Sequence, residues 1–306
     1  MAFEIIRKDQ QKISAWAGGK TTQLAIHPPD ASYKHMNFLF RLSTATIEKE
    51  ESEFSILPGV TRQIMILNGR LELQHEGHDS KSLNAFESST FDGGWKTTGH
   101  GKATDFNLMT KGETKGWLEH IRLKPGESLD LKQEIHNDYI AVYLADGEVS
   151  FTVVPDGFPV TAQKGDLIIL SPGNSNQAMK LNAVRQADLV IAMIRILRHS
   201  YHHIGIPTLE SKPGEEYLPE HKIYHSGFET SKYGIEWMRY EKGCTMPEIV
   251  RNIPHVAFEV SDIHEAVKGK KILIQPNSPS EGVIVALIEE NGAPVELLQY
   301  VKIMDN

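Results

Sequence analysis

Two histidine–glutamate pairs recur in the last third of the sequence with similar surroundings. His203 opens a short apolar run and Glu236 lies inside another, and His255 and Glu296 repeat this arrangement. A carboxylate inside an apolar strand is costly to bury unless it is paired or bound to a metal. Imidazole nitrogen and carboxylate oxygen together suit a hard-to-borderline divalent cation. The repeat therefore predicts one site for Zn, Fe, Mn, Co or Ni, held by all four side chains. The matched stretches are His203–Ile206 with His255–Phe258 and Ile235–Met238 with Val295–Leu298.

Alternatives accompany this metal site. His202 is the alternative ligand to His203, because strand alternation turns only one of two neighbours inward. The repeat as a whole is also compatible with a structural pseudo-repeat that holds no metal. Arg239, close to Glu236 in sequence, is a candidate for bidentate binding of a substrate carboxylate, with a solvated surface arginine as its alternative.

Short strands and one helix must position these residues. Asp262 and Glu265 form the capping-box pattern of a helix that ends at Gly269, and apolar runs on both sides predict one βαβββ unit. The earlier half of the repeat differs, because three prolines lie between residues 206 and 222. We expect no long helix there and a first unit reduced to about three strands.

Residues 200–301 resemble the vicinal oxygen chelate superfamily, which includes glyoxalase I and extradiol dioxygenases. The resemblance lies in 202–206, 233–238, 254–263 and 294–299. It implies paired βαβββ modules curled into a cup, with His203, Glu236, His255 and Glu296 as metal ligands. It also implies a metal that takes two adjacent substrate oxygens, and a displaceable carboxylate, Glu236 or Glu296, as the catalytic proton shuttle. Because the first module is short, a further possibility is a homodimer in which two chains complete the site.

The first 195 residues consist of short alternating apolar runs separated by glycine and proline, which is typical of half-buried strands. Two segments share the order of loop, strand, tight turn and strand, with the turns at Asn68–Gly69 and Asp146–Gly147. Such a repeat predicts a duplicated jelly roll.

This half resembles the HutD/Ves family, a bicupin group associated with histidine utilisation and stress-induced proteins. The resemblance lies in 16–22, 40–45, 54–62, 67–69 and 105–109. It implies two cupin barrels in tandem. Neither 54–59 nor 131–136 contains a His-x-His sequence, and His136 stands alone, so we expect no metal in this half.

The polar residues of these motifs predict a binding site for a small carboxylate, such as an amino-acid derivative. Arg41 and Arg62 on inward-facing strand positions would form an anion-binding pair, and Ser43 and Asn107 would add neutral hydrogen bonds. Asp105 belongs to the same set. The alternative is a buried structural network of ion pairs between these arginines and Asp105.

Composition excludes several classes of protein. The chain has 306 residues, 32 basic and 40 acidic, and a net charge of −8, which disfavours nucleic acid as a main partner. It contains no stretch of 18 apolar residues, so no membrane span is expected. The lone Cys244 and the lack of a secretory signal favour a cytoplasmic location.

The sequence thus predicts a mainly β protein of two domains. Residues 1–198 would form the tandem cupin domain, and residues 199–306 a compact α+β domain of the vicinal oxygen chelate type. The expected function is a metal-dependent enzyme of glyoxalase, isomerase or dioxygenase type, acting on a small oxygenated metabolite and fused to a carboxylate-binding bicupin. The alternative is a non-catalytic binding or regulatory protein linked to histidine utilisation or stress.

Overall fold

The computed structural model describes residues 3–132, 139–154, 157–171, 178–197 and 199–301. The chain divides into two compact units, Met1–Ile196 (unit 1) and Leu197–Asn306 (unit 2). The division falls within a few residues of the predicted domain boundary. The described part of the chain contains no helix with the length and hydropathy of a membrane span.

Unit 1 consists of strands, as the alternating pattern predicts. The elements of its first part are β1 (Phe3–Ile6), a 3₁₀ turn (Lys8–Gln10), β2 (Lys12–Trp16), β3 (Gly19–His27), β4 (Phe40–Ile47), β5 (Glu51–Glu53), β6 (Val60–Gly69), β7 (Leu71–His75), β8 (Ser80–Leu83), β9 (Ser88–Asp92), β10 (Thr97–His100) and β11 (Ala103–Lys111). A six-stranded sheet of order β2-β3-β4-β11-β6-β9 faces a four-stranded sheet of order β5-β10-β7-β8. We call this pair the first barrel.

The second part of unit 1 repeats this architecture. Its strands are β12 (Lys115–Leu123), β13 (Ser128–Lys132), β14 (Tyr139–Asp146), β15 (Glu148–Val154), β16 (Val160–Gln163), β17 (Leu167–Leu170), β18 (Ala178–Ala183) and β19 (Ala187–Arg195). The sheets have the orders β1-β17-β14-β19-β12 and β13-β18-β15-β16. This second barrel therefore takes β1 from the far end of unit 1, a pairing that the sequence pattern did not indicate.

The two turns predicted to close hairpins occupy equivalent places in the two barrels, but each joins strands of different sheets, so neither forms a hairpin. Gly69 and Gly147 have φ angles of 85° and 86°, a conformation that glycine adopts without steric cost. A Cβ at Gly147 would lie 2.1 Å from the carbonyl oxygen of Gln186, and one at Gly69 would lie 2.4 Å from that of Lys102. Both turns therefore require glycine because a neighbouring backbone passes close by.

Among the described residues of unit 1, three large apolar clusters lie between its sheets, and a fourth, smaller one contains Phe38, Leu57, Val60 and Met109. One fills the space between the sheets of the first barrel, and another fills the second barrel with residues such as Val142, Phe151 and Leu181. The third lies between the six-stranded and five-stranded sheets and joins the barrels. Because side chains alternate along β11, Phe106 and Leu108 face this joint, whereas Asp105 and Asn107 face the other side of the sheet.

Unit 2 is built on one eight-stranded sheet. Its elements are β20 (His199–Pro207), β21 (Glu216–Leu218), β22 (Ile223–Ser226), β23 (Ile235–Tyr240), α1 (Glu248–Asn252), β24 (His255–Val260), α2 (Ile263–Ala266), β25 (Lys271–Ser280), β26 (Val283–Glu290) and β27 (Ala293–Tyr300). The strand order is β21-β22-β23-β20-β24-β27-β26-β25. Each half thus places its first strand beside its fourth, and the two first strands pair at the centre.

The two halves of unit 2 agree with the predicted repeat in most respects. The first strand of each half is parallel to the fourth, and β20 and β24 pair antiparallel. In α2, Asp262 caps the helix by accepting a hydrogen bond from the backbone N–H of Glu265. The expectation of three strands in the first half is wrong, because β21 adds an edge strand to β22.

Candidate functional site

The repeated register of unit 2 brings the two histidine–glutamate pairs to the middle of the sheet. Glu236 on β23 is the register partner of Gly205, two residues after His203 on β20. Glu296 on β27 is likewise the partner of Ala257, two residues after His255 on β24. Since alternate residues of a strand share a face, the same parallel pairing puts each histidine on the face of its glutamate.

His203, His255 and Glu296 converge on one point, and Glu236 reaches this group through His203. Nε2 of His203 lies 3.2 Å from an oxygen of Glu236 and 3.2 Å from an oxygen of Glu296, which is itself 3.1 Å from Nε2 of His255. The two Nε2 atoms are 3.4 Å apart. Ligand atoms around a first-row metal with bonds of about 2.0–2.2 Å lie about 3.0–3.5 Å from one another. The donor spacing therefore fits a divalent ion.

Burial and the neighbouring charges both shift the pKa values of residues in this cluster. His203 and His255 are only 5% and 3% exposed. Burial alone would raise the pKa of Glu296, but hydrogen bonds and charge from both histidines lower it to about 2. Burial likewise opposes charge on His203, yet the two glutamates raise its pKa above the ordinary value. Nδ1 of His255 is buried and has no hydrogen-bond partner among the residues that the structure describes. The carboxylate is thus held ionised, in the form that ligates metals.

The glycine at position 205 makes room for the His255 ring. A Cβ there would lie 2.0 Å from Cε1 and 2.4 Å from Nε2 of His255, so the imidazole would have to move. We expect Gly205→Ala to weaken metal binding by about 10-fold or more, since displacement of a ligand costs at least what loss of an outer contact does. Titration calorimetry with Co²⁺ measures the change. Ser200→Ala, at an exposed position of the same strand, is the control.

His203, His202 and Tyr300 form a chain of hydrogen bonds that the sequence pattern did not indicate. A bulge between Tyr201 and His203 turns His202 away from the cluster, so that its Nδ1 lies 2.7 Å from Nδ1 of His203 and its Nε2 lies 2.9 Å from the hydroxyl of Tyr300. When Nε2 of His203 ligates a metal, its Nδ1–H donates to His202, which donates onward to Tyr300. His202 is therefore placed as an orienting neighbour and not as a ligand.

Glu236 also has an outer partner. Nδ1 of His225, on β22, lies 3.0 Å from the second oxygen of Glu236. His203, His255 and Glu296 form a group whose donor atoms all lie within 4.8 Å of one another, whereas Glu236 joins this group through His203. Glu236 is accordingly the more peripheral of the two carboxylates.

The structure does not bring Arg239 to this centre. Arg239 is three residues from Glu236 on the same strand, so the alternation of side chains places it on the opposite face. There it makes bonds of 2.9 and 2.6 Å to the two oxygens of Glu215, and its guanidinium lies 3.9 Å from the ring centre of Tyr224. Because Arg239 lies on the opposite face and pairs with Glu215, the prediction that it binds a substrate carboxylate at this centre is wrong.

All four converging side chains come from one chain. The second half of unit 2 supplies His255 and Glu296, and the first half supplies His203 and Glu236. A homodimer is therefore not needed to assemble this cluster.

A second group of predicted site residues lines a cavity in the first barrel. Arg41, Ser43, Arg62, Asp105 and Asn107 all border this space of about 210 Å³. Strand register explains their proximity: Met109 of β11 pairs with Arg41 on β4 and with Arg62 on β6, and Asn107 pairs with Ser43. Side chains on one face of three neighbouring strands thus form one wall.

The two arginines are buried without a carboxylate bonded to them. Within the described ranges, no carboxylate oxygen lies within 4.0 Å of either guanidinium, so the alternative of a structural ion-pair network is not found. Arg41 bonds to Gln23 and Ser43, and Arg62 lies 5.0 Å from the ring centre of Phe54. Burial lowers the pKa of both, that of Arg62 to about 10. A buried guanidinium group without a bonded carboxylate favours an anionic ligand, because the anion supplies the missing counter-charge.

Asp105 is the acidic member of the cavity. Burial raises its pKa to about 7, although the charge of Arg62 and the backbone N–H of Ala45 oppose that shift. The second barrel has no comparable polar wall among its described residues, because apolar side chains fill it. His136, which the sequence left without a partner histidine, lies outside the described residues.

Comparison with known proteins concerns mainly unit 1. The HutD family model matches residues 8–191. A conserved protein of unknown function from Pseudomonas aeruginosa has a TM-score of 0.55 and 21% identity, covering 63% of this chain and 99% of that one. HutD from Pseudomonas fluorescens has a TM-score of 0.48 and 20% identity, covering 64% and 100%.

A cupin 2 conserved barrel domain protein from Leptotrichia buccalis is also similar in fold. Its TM-score is 0.41 and its identity 15%, covering 63% of this chain and 96% of that one. No curated protein matches the sequence. The prediction of a mainly β chain whose first part is HutD-like is confirmed. The family match includes no residue of unit 2.

Proposed function

Because the chain belongs to the HutD family and that match is confined to unit 1, we propose a separate function for each unit. Unit 2 is a metal-dependent enzyme of the vicinal oxygen chelate type, acting by glyoxalase, isomerase or dioxygenase chemistry on a small oxygenated metabolite. Unit 1 binds a small carboxylate in the cavity of its first barrel.

One observation carries the proposal for unit 2. Two imidazoles and the Glu296 carboxylate, far apart in the sequence, have donor atoms 3.1–3.4 Å apart, and Glu236 lies 3.2 Å from His203. Surface ion pairs seldom gather such groups, and a largely buried carboxylate needs a compensating charge. The duplicated strand order, with each histidine on a first strand and each glutamate on a fourth, supports the same superfamily.

In the proposed centre, different residues bind the metal, accept a proton and orient a ligand. A bound divalent ion supplies a Lewis acid for two adjacent oxygens of the substrate. His203, His255 and Glu296 are the three mutually close ligands. Glu236 touches only His203 among them and is held by His225, so it is the carboxylate placed to accept a proton from the substrate. His202 and Tyr300 fix the tautomer and orientation of His203.

Cobalt loading tests this proposal directly. We expect the purified protein, stripped with chelator, to bind one Co²⁺ with visible absorption bands of imidazole–carboxylate ligation. Acetohydroxamate, which offers two adjacent oxygens, should change that spectrum at concentrations where acetate does not. Absence of a one-to-one cobalt complex would exclude the metal site, and equal effects of both probes would exclude chelation through adjacent oxygens.

The proposal for unit 1 rests on the two buried guanidiniums. Arg41 and Arg62 line a partly open cavity and have no carboxylate within bonding distance in the described chain. Bidentate binding of a carboxylate satisfies such groups well. The test is a thermal-shift panel of short mono- and dicarboxylates. We expect stabilisation that grows with ligand concentration as mass action requires, and an absence of any response would reject the proposal.

A further inference from the structure

Four residues that line the cavity of unit 1 carry buried polar atoms of both kinds without a hydrogen-bond partner in the described chain. Nε of Arg62 and Nε1 of Trp16 are donors, and none of the described residues accepts from them. Oδ1 of Asp105 and Oδ1 of Asn107 are acceptors, and none of the described residues donates to them. All four residues line the same cavity. Because buried polar groups in folded proteins are almost always hydrogen-bonded, a ligand that completes this site must offer acceptors and donors together.

A simple carboxylate satisfies only half of this set. Its oxygens accept from Arg62 and Trp16 but have no hydrogen to give Asp105 and Asn107. Ionised Asp105 would also repel it. An ammonium group on the same ligand removes both difficulties, since it donates three hydrogen bonds and carries the opposite charge.

We infer that the cavity of unit 1 takes a small zwitterion of the α-amino acid class. The carboxylate binds at Arg62 with support from Arg41, and the ammonium group binds between Asp105 and Asn107. This inference rests on the carboxylate-binding function proposed for unit 1. It adds a second recognition element, on β11, that discriminates amino acids from plain carboxylates.

The protonation of Asp105 gives the inference a pH signature. The titratable and charged groups that face Asp105 in the cavity are Arg62 on β6, Arg41 on β4 and Tyr33. The pKa of Asp105 is about 7. Ionised Asp105 favours an ammonium ligand, so amino-acid affinity falls as the pH drops through 7. A plain carboxylate gains affinity over the same range, because protonation removes a repelling charge.

The experiment is calorimetric titration of the full chain with α-amino acids and with the deaminated analogue of the best binder. At pH 8 we expect the amino acid to bind at least 10-fold more tightly than its analogue. Between pH 8 and pH 6 the ionised fraction of a group with a pKa near 7 falls about 10-fold, so amino-acid affinity should fall by about that factor. The analogue should gain affinity. This comparison needs no variant.

Asp105→Asn provides the matching variant, with Asp79→Asn on the exposed surface as control. Asp105→Asn should bring the two affinities together and remove the pH dependence for the amino acid, whereas the control should change neither. If carboxylates bind and amino acids bind no better, the inference is overturned and the carboxylate proposal stands. If neither class binds, both fail.

Discussion

Replacing His255 with alanine removes stoichiometric metal binding from the protein. Its Nε2 lies 3.1 Å from Glu296 and 3.4 Å from Nε2 of His203, so its loss leaves one imidazole and one carboxylate in the group of three mutually close ligands. Loss of a residue that only orients a ligand typically costs 10–100-fold in metal affinity, and loss of a buried ligand costs more. We expect a fall on the order of 100-fold or greater, measured by elemental analysis after dialysis and by Co²⁺ titration.

The controls separate ligation from general damage. His264→Ala removes an exposed histidine on α2 and should leave one metal per chain. Glu296→Gln should cost more affinity than Glu236→Gln, because Glu296 touches both histidines and Glu236 touches one. Equal metal content in His255→Ala and in the unaltered protein would contradict the proposed centre.

The proximity of His203, His255 and Glu296 could be predicted from the sequence because it depends on a repeat. Parallel pairing of first and fourth strands gives the same two-residue offset in both halves, so similar short stretches mark equivalent positions. The contacts of His202 and His225 with the cluster could not be predicted from the repeat. The place of His202 depends on a bulge in β20, and that of His225 on the pairing of β22 with β23. Neither leaves a periodic trace in the sequence.

Arg239 shows an error that the sequence could have prevented. A residue three positions from Glu236 on a strand must face the other way, and the offset alone was sufficient to exclude it from the site. The failure to predict β21, the fourth strand of the first half, has a different cause. Prolines between residues 206 and 222 argue correctly against a helix, but they permit a short edge strand, which is what Glu216–Leu218 forms.

The fold of unit 1 was predictable where local chemistry fixes it. The tight turns at Gly69 and Gly147 follow from Asn-Gly and Asp-Gly pairs. The prediction that these turns close hairpins is wrong, because each joins strands of two different sheets. The pairing of β1 with β17 joins residues more than 150 positions apart, and no short-range pattern encodes such a partner. The sequence predicted that Arg41, Arg62 and Asp105 lie in one site, and all three line the cavity. That neither arginine forms an ion pair with a described carboxylate depends on distances, which only the structure supplies.

Replacing Arg62 with methionine has opposite effects on binding and on stability. Removing one partner of a buried charge contact typically costs 2–5 kcal/mol, so we expect the best carboxylate ligand to bind about 30-fold more weakly or worse. The empty protein should not lose stability. Burial lowers the pKa of Arg62 to about 10, which means that the folded state disfavours its charge. Replacing a buried ion by an apolar side chain of similar size is often neutral or stabilising by about 1–4 kcal/mol.

The two measurements are calorimetric titration and thermal unfolding without ligand. Arg70→Met, an exposed arginine at the end of the β6–β7 turn, is the matched control and should alter neither result. A residue kept only for structure would give the reverse outcome, with a lower unfolding temperature and unchanged ligand affinity. A guanidinium that is costly to bury and unpaired in the described chain is instead explained by the ligand it receives, because binding supplies the counter-charge that the protein lacks.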